Sequence, residues 1–139
     1  MRSGNGEPGK KRRQRGFTLI ELLVVCAIIG LLSAVAVANY RRSIIKAKEA
    51  VLQQDLYTMR TLINQYFADK GKYPSDLGAL VEAHYLQAIP KDPFTDNAES
   101  WITEPAEMDE SDITTEPGIA NVKSGAEGTS LDGKGYSEF

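Results

Sequence analysis

Histidine and cysteine are almost missing from this chain: each occurs once in 139 residues, as His84 and Cys26. A single cysteine excludes an intramolecular disulfide. Cys26 lies in an apolar run, where a free thiol behaves as a small hydrophobe. Val24 and Val25 before it do not form the small-residue box that lipidation of a cysteine requires. Nothing around His84 suggests a metal cluster or a nucleophile, so it reads as a surface or helix-end residue. No phosphate-cradling loop and no serine, cysteine or histidine constellation is present, and the chain does not read as an enzyme.

The formal net charge is −3, but it is unevenly spread. Residues 1–16 carry six basic and one acidic residue, whereas residues 17–139 carry ten basic and eighteen acidic, leaving +5 and −8 in the two parts. Lys10, Lys11, Arg12, Arg13 and Arg15 stand immediately before an apolar segment. A basic block in that position is a topogenic signal rather than a nucleic-acid patch. Nucleic acid is therefore not expected as a partner.

From Leu22 to Tyr40 the chain has 19 residues without a formal charge. As a helix this run spans roughly 28 Å, close to the hydrocarbon thickness of a bilayer, about 30 Å. Arg41 and Arg42 close it. One carboxylate, Glu21, lies at its mouth, four residues after Phe17. A charge at that depth is costly and implies a function. A cleaved secretory signal is the competing reading, since Ser33-Ala34-Val35-Ala36 is a tolerable cleavage pattern. It leaves Glu21 unexplained.

The heptapeptide Arg15-Gly16-Phe17-Thr18-Leu19-Ile20-Glu21 resembles the processing site of type IV prepilins and of the pseudopilins of type II secretion. The resemblance implies that a prepilin peptidase cuts between Gly16 and Phe17 and methylates the new Phe17 amine. It further implies that Glu21 pairs with the Phe17 amine of a neighbouring subunit during assembly. The basic flank then places the N-terminus in the cytoplasm and the remainder in the periplasm, with a single pass through a bacterial inner membrane. The family often has a proline where this chain has Ala38, so a more continuous helix is expected here.

Apolar residues continue at helical spacing beyond Arg42: Ile45, Leu52, Leu56, Met59, Ile63 and Tyr66, with Val51, Leu62 and Phe67 widening the stripe. Lys46, Glu49, Gln53, Arg60, Thr61 and Asn64 are assigned to the opposite, polar side. Gly71 and Pro74 stop the helix near Lys70. The stripe is broader than a coiled-coil seam, which favours packing within a domain over a helical dimer. A short helix over 75–84 follows, with Ser75 as N-cap and Asp76 in its first turn. Leu77, Leu80 and Val81 are expected to face inward. Pro90 and Pro93 bracket Lys91-Asp92 and stiffen an extended segment. Residues 95–117 are acidic and lack hydrophobic periodicity, which predicts a solvated loop. Trp101 and Ile102 anchor a short strand before its most acidic part, and Ile119–Lys123 forms a second.

The series Tyr73-Pro74 and Leu86 to Phe94 resembles the major pseudopilin of type II secretion, and the missing disulfide agrees with that branch. The glycine-rich run Ser124 to Tyr136 resembles the loop by which that family binds calcium. Glu127, Ser130 and Asp132 are then the candidate side-chain ligands, with backbone carbonyls completing the six to eight oxygens calcium takes. Glu127 stands where the family commonly has aspartate.

The expected fold is α+β: a long N-terminal helix, half membrane and half amphipathic, on a small C-terminal antiparallel sheet, as in type IV pilins. The expected organisation is a removed leader over 1–16, a transmembrane or filament-core helix over 17–40, and a periplasmic domain over 41–139. Within that domain, helix 41–70, helix 75–84, the acidic loop 95–117 and the sheet with its glycine-rich loop over 118–139 follow in order. The resemblance implies a homopolymer, with minor pseudopilins, the prepilin peptidase and an inner-membrane assembly platform as partners. A type IV pilus subunit building a surface fibre is the alternative. A monomeric membrane-anchored binding module is a third, and it predicts no cut after Gly16.

Overall fold

The computed structural model describes Met1, Gly4, Gly6, Gly9, residues 15–107 and residues 116–139. Lys10 to Arg13 of the basic block lie outside the described residues, as do Asp109, Glu110 and Asp112 of the acidic loop. The chain divides into two compact units, Met1–Asn39 and Tyr40–Phe139. One helix, α1 (Leu19–Lys70), runs 52 residues and contributes to both.

In the first unit the Thr18 hydroxyl accepts the Glu21 N–H at 3.2 Å, satisfying one of the orphan donors that open a helix. Every residue from Leu19 to Asn39 is exposed. Bare leucine, valine and isoleucine on all sides leave this segment without a core of its own, and α1 is long and apolar enough to cross a membrane. No break occurs at Ala38.

The second unit packs the rest of α1 against α2 (Leu77–Glu82), β1 (Ile102–Pro105) and β2 (Ile119–Lys123), with a 3-10 turn over Tyr136–Glu138. Leu52, Leu56, Met59 and Ile63 are at most 1% exposed, confirming the central line of the predicted stripe. Leu80, Trp101, Val122 and Tyr136 complete the core around them. β1 and β2 are antiparallel, pairing Ile102 with Lys123 and Thr103 with Val122. Gly71 takes φ +70° after α1, a left-handed conformation open to glycine without a Cβ penalty. The Pro74 carbonyl then accepts the Ile119 N–H at 2.8 Å, joining this turn to the start of β2.

Four expectations need correction. Glu49 is buried rather than on a solvent face, and Arg60 is turned to β2. Val51 and Phe67 do not widen the core: they remain 50% and 42% exposed. The short helix runs over Leu77–Glu82 rather than 75–84, with His84 beyond it at φ +61°, and is capped by Asp76, whose Oδ1 accepts the Ala79 N–H at 2.8 Å, not by Ser75. The acidic stretch 95–117 is a loop only in part: the short strand expected around Ile102 is present, and it runs on through Glu104 to Pro105. Residues 102–105 form β1, and Glu104 there pairs with Lys123 at 2.7 Å and accepts from Asn121.

Candidate functional site

The residues singled out in the sequence fall into two separate places, each within one unit. At the first, residues 15–18 precede α1 and are non-helical, and Phe17 is 82% exposed. The Gly16–Phe17 peptide is thus accessible, unprotected by helical hydrogen bonds. Arg15, Gly16, Phe17 and Glu21 line one surface depression. Glu21 occupies the first turn of α1, where a carboxylate is favoured by the positive end of the helix dipole. An amine created at Phe17 would therefore arise four residues from an exposed carboxylate.

The second place is the glycine-rich C-terminal loop. Gly128 and Gly133 have positive φ, and Thr129 and Gly135 form a bridge that closes the loop. The Ser130 N–H donates to the Lys134 carbonyl at 2.7 Å, and the Ser130 Oγ accepts the Lys134 N–H at 3.2 Å. Ser130 is buried, while Glu127 and Asp132 are exposed. Among the described residues no three acidic, histidine or cysteine side chains gather around one point. The donors on this loop are all oxygen, which is the chemistry calcium selects.

Two side chains of α1 that the sequence reading placed in solvent hold this end of the domain. Glu49 Oε1 accepts the Leu131 N–H at 2.8 Å and the Tyr136 hydroxyl at 3.3 Å. Burial first, and then the Glu49 charge, push the Tyr136 phenol above its ordinary value. The Arg60 guanidinium donates to the Val122 carbonyl through Nε at 3.1 Å and Nη2 at 2.9 Å, and Nη2 also reaches the Phe139 carbonyl. Their sequence signal was present. Glu49 follows Ile45 by four and precedes Leu52 by three; Arg60 follows Leu56 by four and precedes Ile63 by three. Both lie on or beside the apolar line rather than across from it.

Asp92, bracketed by prolines, is fully buried. Its Oδ1 accepts the Phe94 N–H at 2.8 Å, and its Oδ2 accepts the Ser124 hydroxyl. The Trp101 indole donates to the Pro90 carbonyl at 2.7 Å. Asp92, but not the exposed Lys91, is therefore a buried anchor: it opens the turn over residues 93–96 and is fastened to Ser124 just beyond β2. Asp55 on α1 feels it: burial first, then the Asp92 charge, raise the Asp55 carboxyl above its ordinary value.

The Prokaryotic N-terminal methylation motif matches residues 11–37. The type II secretion system core protein G of Dickeya chrysanthemi is 30% identical over 119 residues, covering 74% of this chain and 76% of that protein. The core protein G of Aeromonas hydrophila is 31% identical, covering 61% and 71% respectively. The type IV major pilin protein PilA of Myxococcus xanthus is 39% identical over 61 residues, but these cover 44% of this chain and only 28% of that pilin. No solved structure matches.

Proposed function

This chain belongs to the family of type II secretion system core protein G, a type IV pilin-like family, and from that membership we propose that it is a structural subunit polymerising into a periplasmic pseudopilus. The observation that carries the reading is the reach of the likeness. It extends over three quarters of the core protein G chain from Dickeya chrysanthemi, beyond the N-terminal motif and into the domain. The likeness to the pilin PilA covers less than half of this chain, so a surface-fibre subunit is the second reading.

In this reading the basic leader holds the N-terminus in the cytoplasm, and the apolar run of α1 anchors the subunit in the inner membrane. A prepilin peptidase cuts the exposed, non-helical Gly16–Phe17 peptide, and Phe17 is then N-methylated. Copies of the chain are the main partner; minor pseudopilins and an inner-membrane assembly platform are the others. The role is structural, not enzymatic. The intact mass of membrane-extracted protein tests it: loss of residues 1–16 with one added methyl group is expected. A full-length, unmethylated mass in cells holding the peptidase would favour the unprocessed, monomeric anchor.

Calcium belongs to the same proposal. The side-chain oxygens of Glu127, Ser130 and Asp132, with loop carbonyls, would hold the ion, which would stiffen the glycine-rich loop. A melting temperature unchanged between added calcium and chelator would remove calcium from the reading.

A further inference from the structure

Four basic side chains, Arg41, Arg42, Lys46 and Lys48, fall within eight residues directly after the apolar run. All four are exposed. No acidic residue occurs from Leu22 through Lys48, and the first one after them, Glu49, is turned inward onto Leu131 and Tyr136. The structure thus turns the nearest following carboxylate in the sequence away from this segment. None of the four forms an ion pair among the described residues; the Lys48 ammonium lies 5.9 Å from the centroid of the Phe94 ring. The contrast with the remainder is strong: residues 49–139 hold seventeen acidic and six basic residues.

At 1.5 Å per residue the four charges occupy about 10 Å of helix, and at 3.6 residues per turn they cover roughly half its circumference. Tyr40, at the boundary of the apolar run, is 68% exposed. Tyrosine and long basic side chains at the end of an apolar helix suit the headgroup layer, where rings and stems stay apolar and the charges meet phosphate. So broad an arc matches a fluid layer of phosphates better than one fixed carboxylate on a protein face.

We infer that residues 41–48 form a binding surface for anionic phospholipid headgroups, selecting acidic lipid around each subunit in the bilayer. The inference rests on the membrane-anchored reading of α1 and holds in either orientation of the chain.

The test reconstitutes the full chain in phosphatidylcholine vesicles containing spin-labelled phosphatidylglycerol or spin-labelled phosphatidylcholine and measures the motionally restricted fraction of each. Alkaline extraction first establishes that the chain is inserted; a chain released by it would defeat the anchored reading itself. For inserted protein, at least about fivefold preference for phosphatidylglycerol is expected, weakening at high salt. R41Q/R42Q/K46Q/K48Q should abolish the preference, whereas K10Q/K11Q/R12Q/R13Q/R15Q should keep it. Three results would overturn the inference: no preference in the parent, preference retained by the first variant, or preference lost with the second. Salt-sensitive cross-linking of these residues to another copy, without lipid preference, would overturn it in favour of a subunit contact.

Discussion

Glu49 and Leu131 meet across 82 residues of sequence, the Glu49 Oε1 accepting the Leu131 N–H at 2.8 Å. The same oxygen accepts the Tyr136 hydroxyl, so one buried carboxylate fastens both the tip and the end of the glycine-rich loop to α1. Removing it strands two donors. Hydrogen bonds to a charged group contribute about 1.5–3 kcal/mol, and unsatisfied buried donors add to the loss. Glu49→Ala is expected to destabilise the domain by about 3 kcal/mol and to lower its melting temperature by more than about 10 °C. Glu49→Gln retains an acceptor oxygen and should lose less. Thermal melts followed by circular dichroism check the order. Equal melting temperatures for parent and Glu49→Ala would show that the clamp contributes nothing.

Local spacing made the centre of the core legible. Leu52, Leu56, Met59 and Ile63 repeat every three or four residues, and all four are buried. The stop at Gly71 and the strand at Ile119–Lys123 were equally readable, because a left-handed glycine and the β-branched Ile119 and Val122 act locally. Glu49, Arg60 and Asp92 were not. Their partners, the Leu131 N–H, the Val122 and Phe139 carbonyls and the Ser124 hydroxyl, are brought to them only by tertiary folding. A polar residue on an apolar line is ambiguous until its partner is known. The reverse holds at Val51 and Phe67, apolar residues off that line that stay exposed. Phe67 stacks on Tyr73 at 4.3 Å near the surface rather than in the core. At residues 15–21, sequence showed the motif, and the fold added that α1 begins only at Leu19.

A pH prediction follows from Asp55. Its carboxyl titrates above the ordinary 3.8 because burial and the Asp92 charge disfavour the ionised form. The folded chain therefore binds this proton more tightly than the unfolded chain. The associated stability is complete below the unfolded value and is lost as pH rises through the folded one. Asp55→Asn cannot ionise, so it should melt above the parent at neutral pH, with the difference closing as pH falls below the ordinary aspartate range. Glu104 works in the opposite sense, since hydrogen bonds from Lys123 and Asn121 lower its carboxyl. For that reason the informative quantity is variant minus parent at each pH. A difference that widens on acidification would contradict the assignment.

Gly125 is where the backbone beyond β2 passes closest to another segment. A Cβ there would stand 2.0 Å from the Ser100 carbonyl oxygen, and backbone cannot swing aside as a side chain does. Gly125→Ala is expected to cost about 3 kcal/mol, at the upper end for an overpacked site. At Gly135 the three atoms nearest an added Cβ all belong to the Glu138 side chain, none closer than 3.7 Å, and φ is −61°. Gly135→Ala should therefore stay within about 0.5 kcal/mol of the parent. Chemical denaturation of the two variants side by side separates close approach from a general intolerance of the loop to substitution.

Glu21 supplies the prediction closest to function. Its carboxylate stands exposed in the first turn of α1, at the mouth of a segment whose other side chains, through Tyr40, carry no formal charge. Translocon scales put an acidic residue deep in a bilayer at about 2.5–3.5 kcal/mol, so a single subunit gains nothing by holding one there. A second copy changes the balance if it brings a positive amine, because opposite charges attract far more strongly where water is scarce. The cut at Gly16–Phe17 would create such an amine on every subunit. Processing itself should not need the carboxylate, since that peptide lies before α1 begins and is already exposed. Glu21→Ala is therefore expected to show the processed mass in amounts near the parent, while the sedimentable polymer falls by about tenfold, the loss of roughly 1.4 kcal/mol per contact. Normal polymer from Glu21→Ala would remove the pairing role, and unprocessed Glu21→Ala would place the carboxylate in peptidase recognition instead.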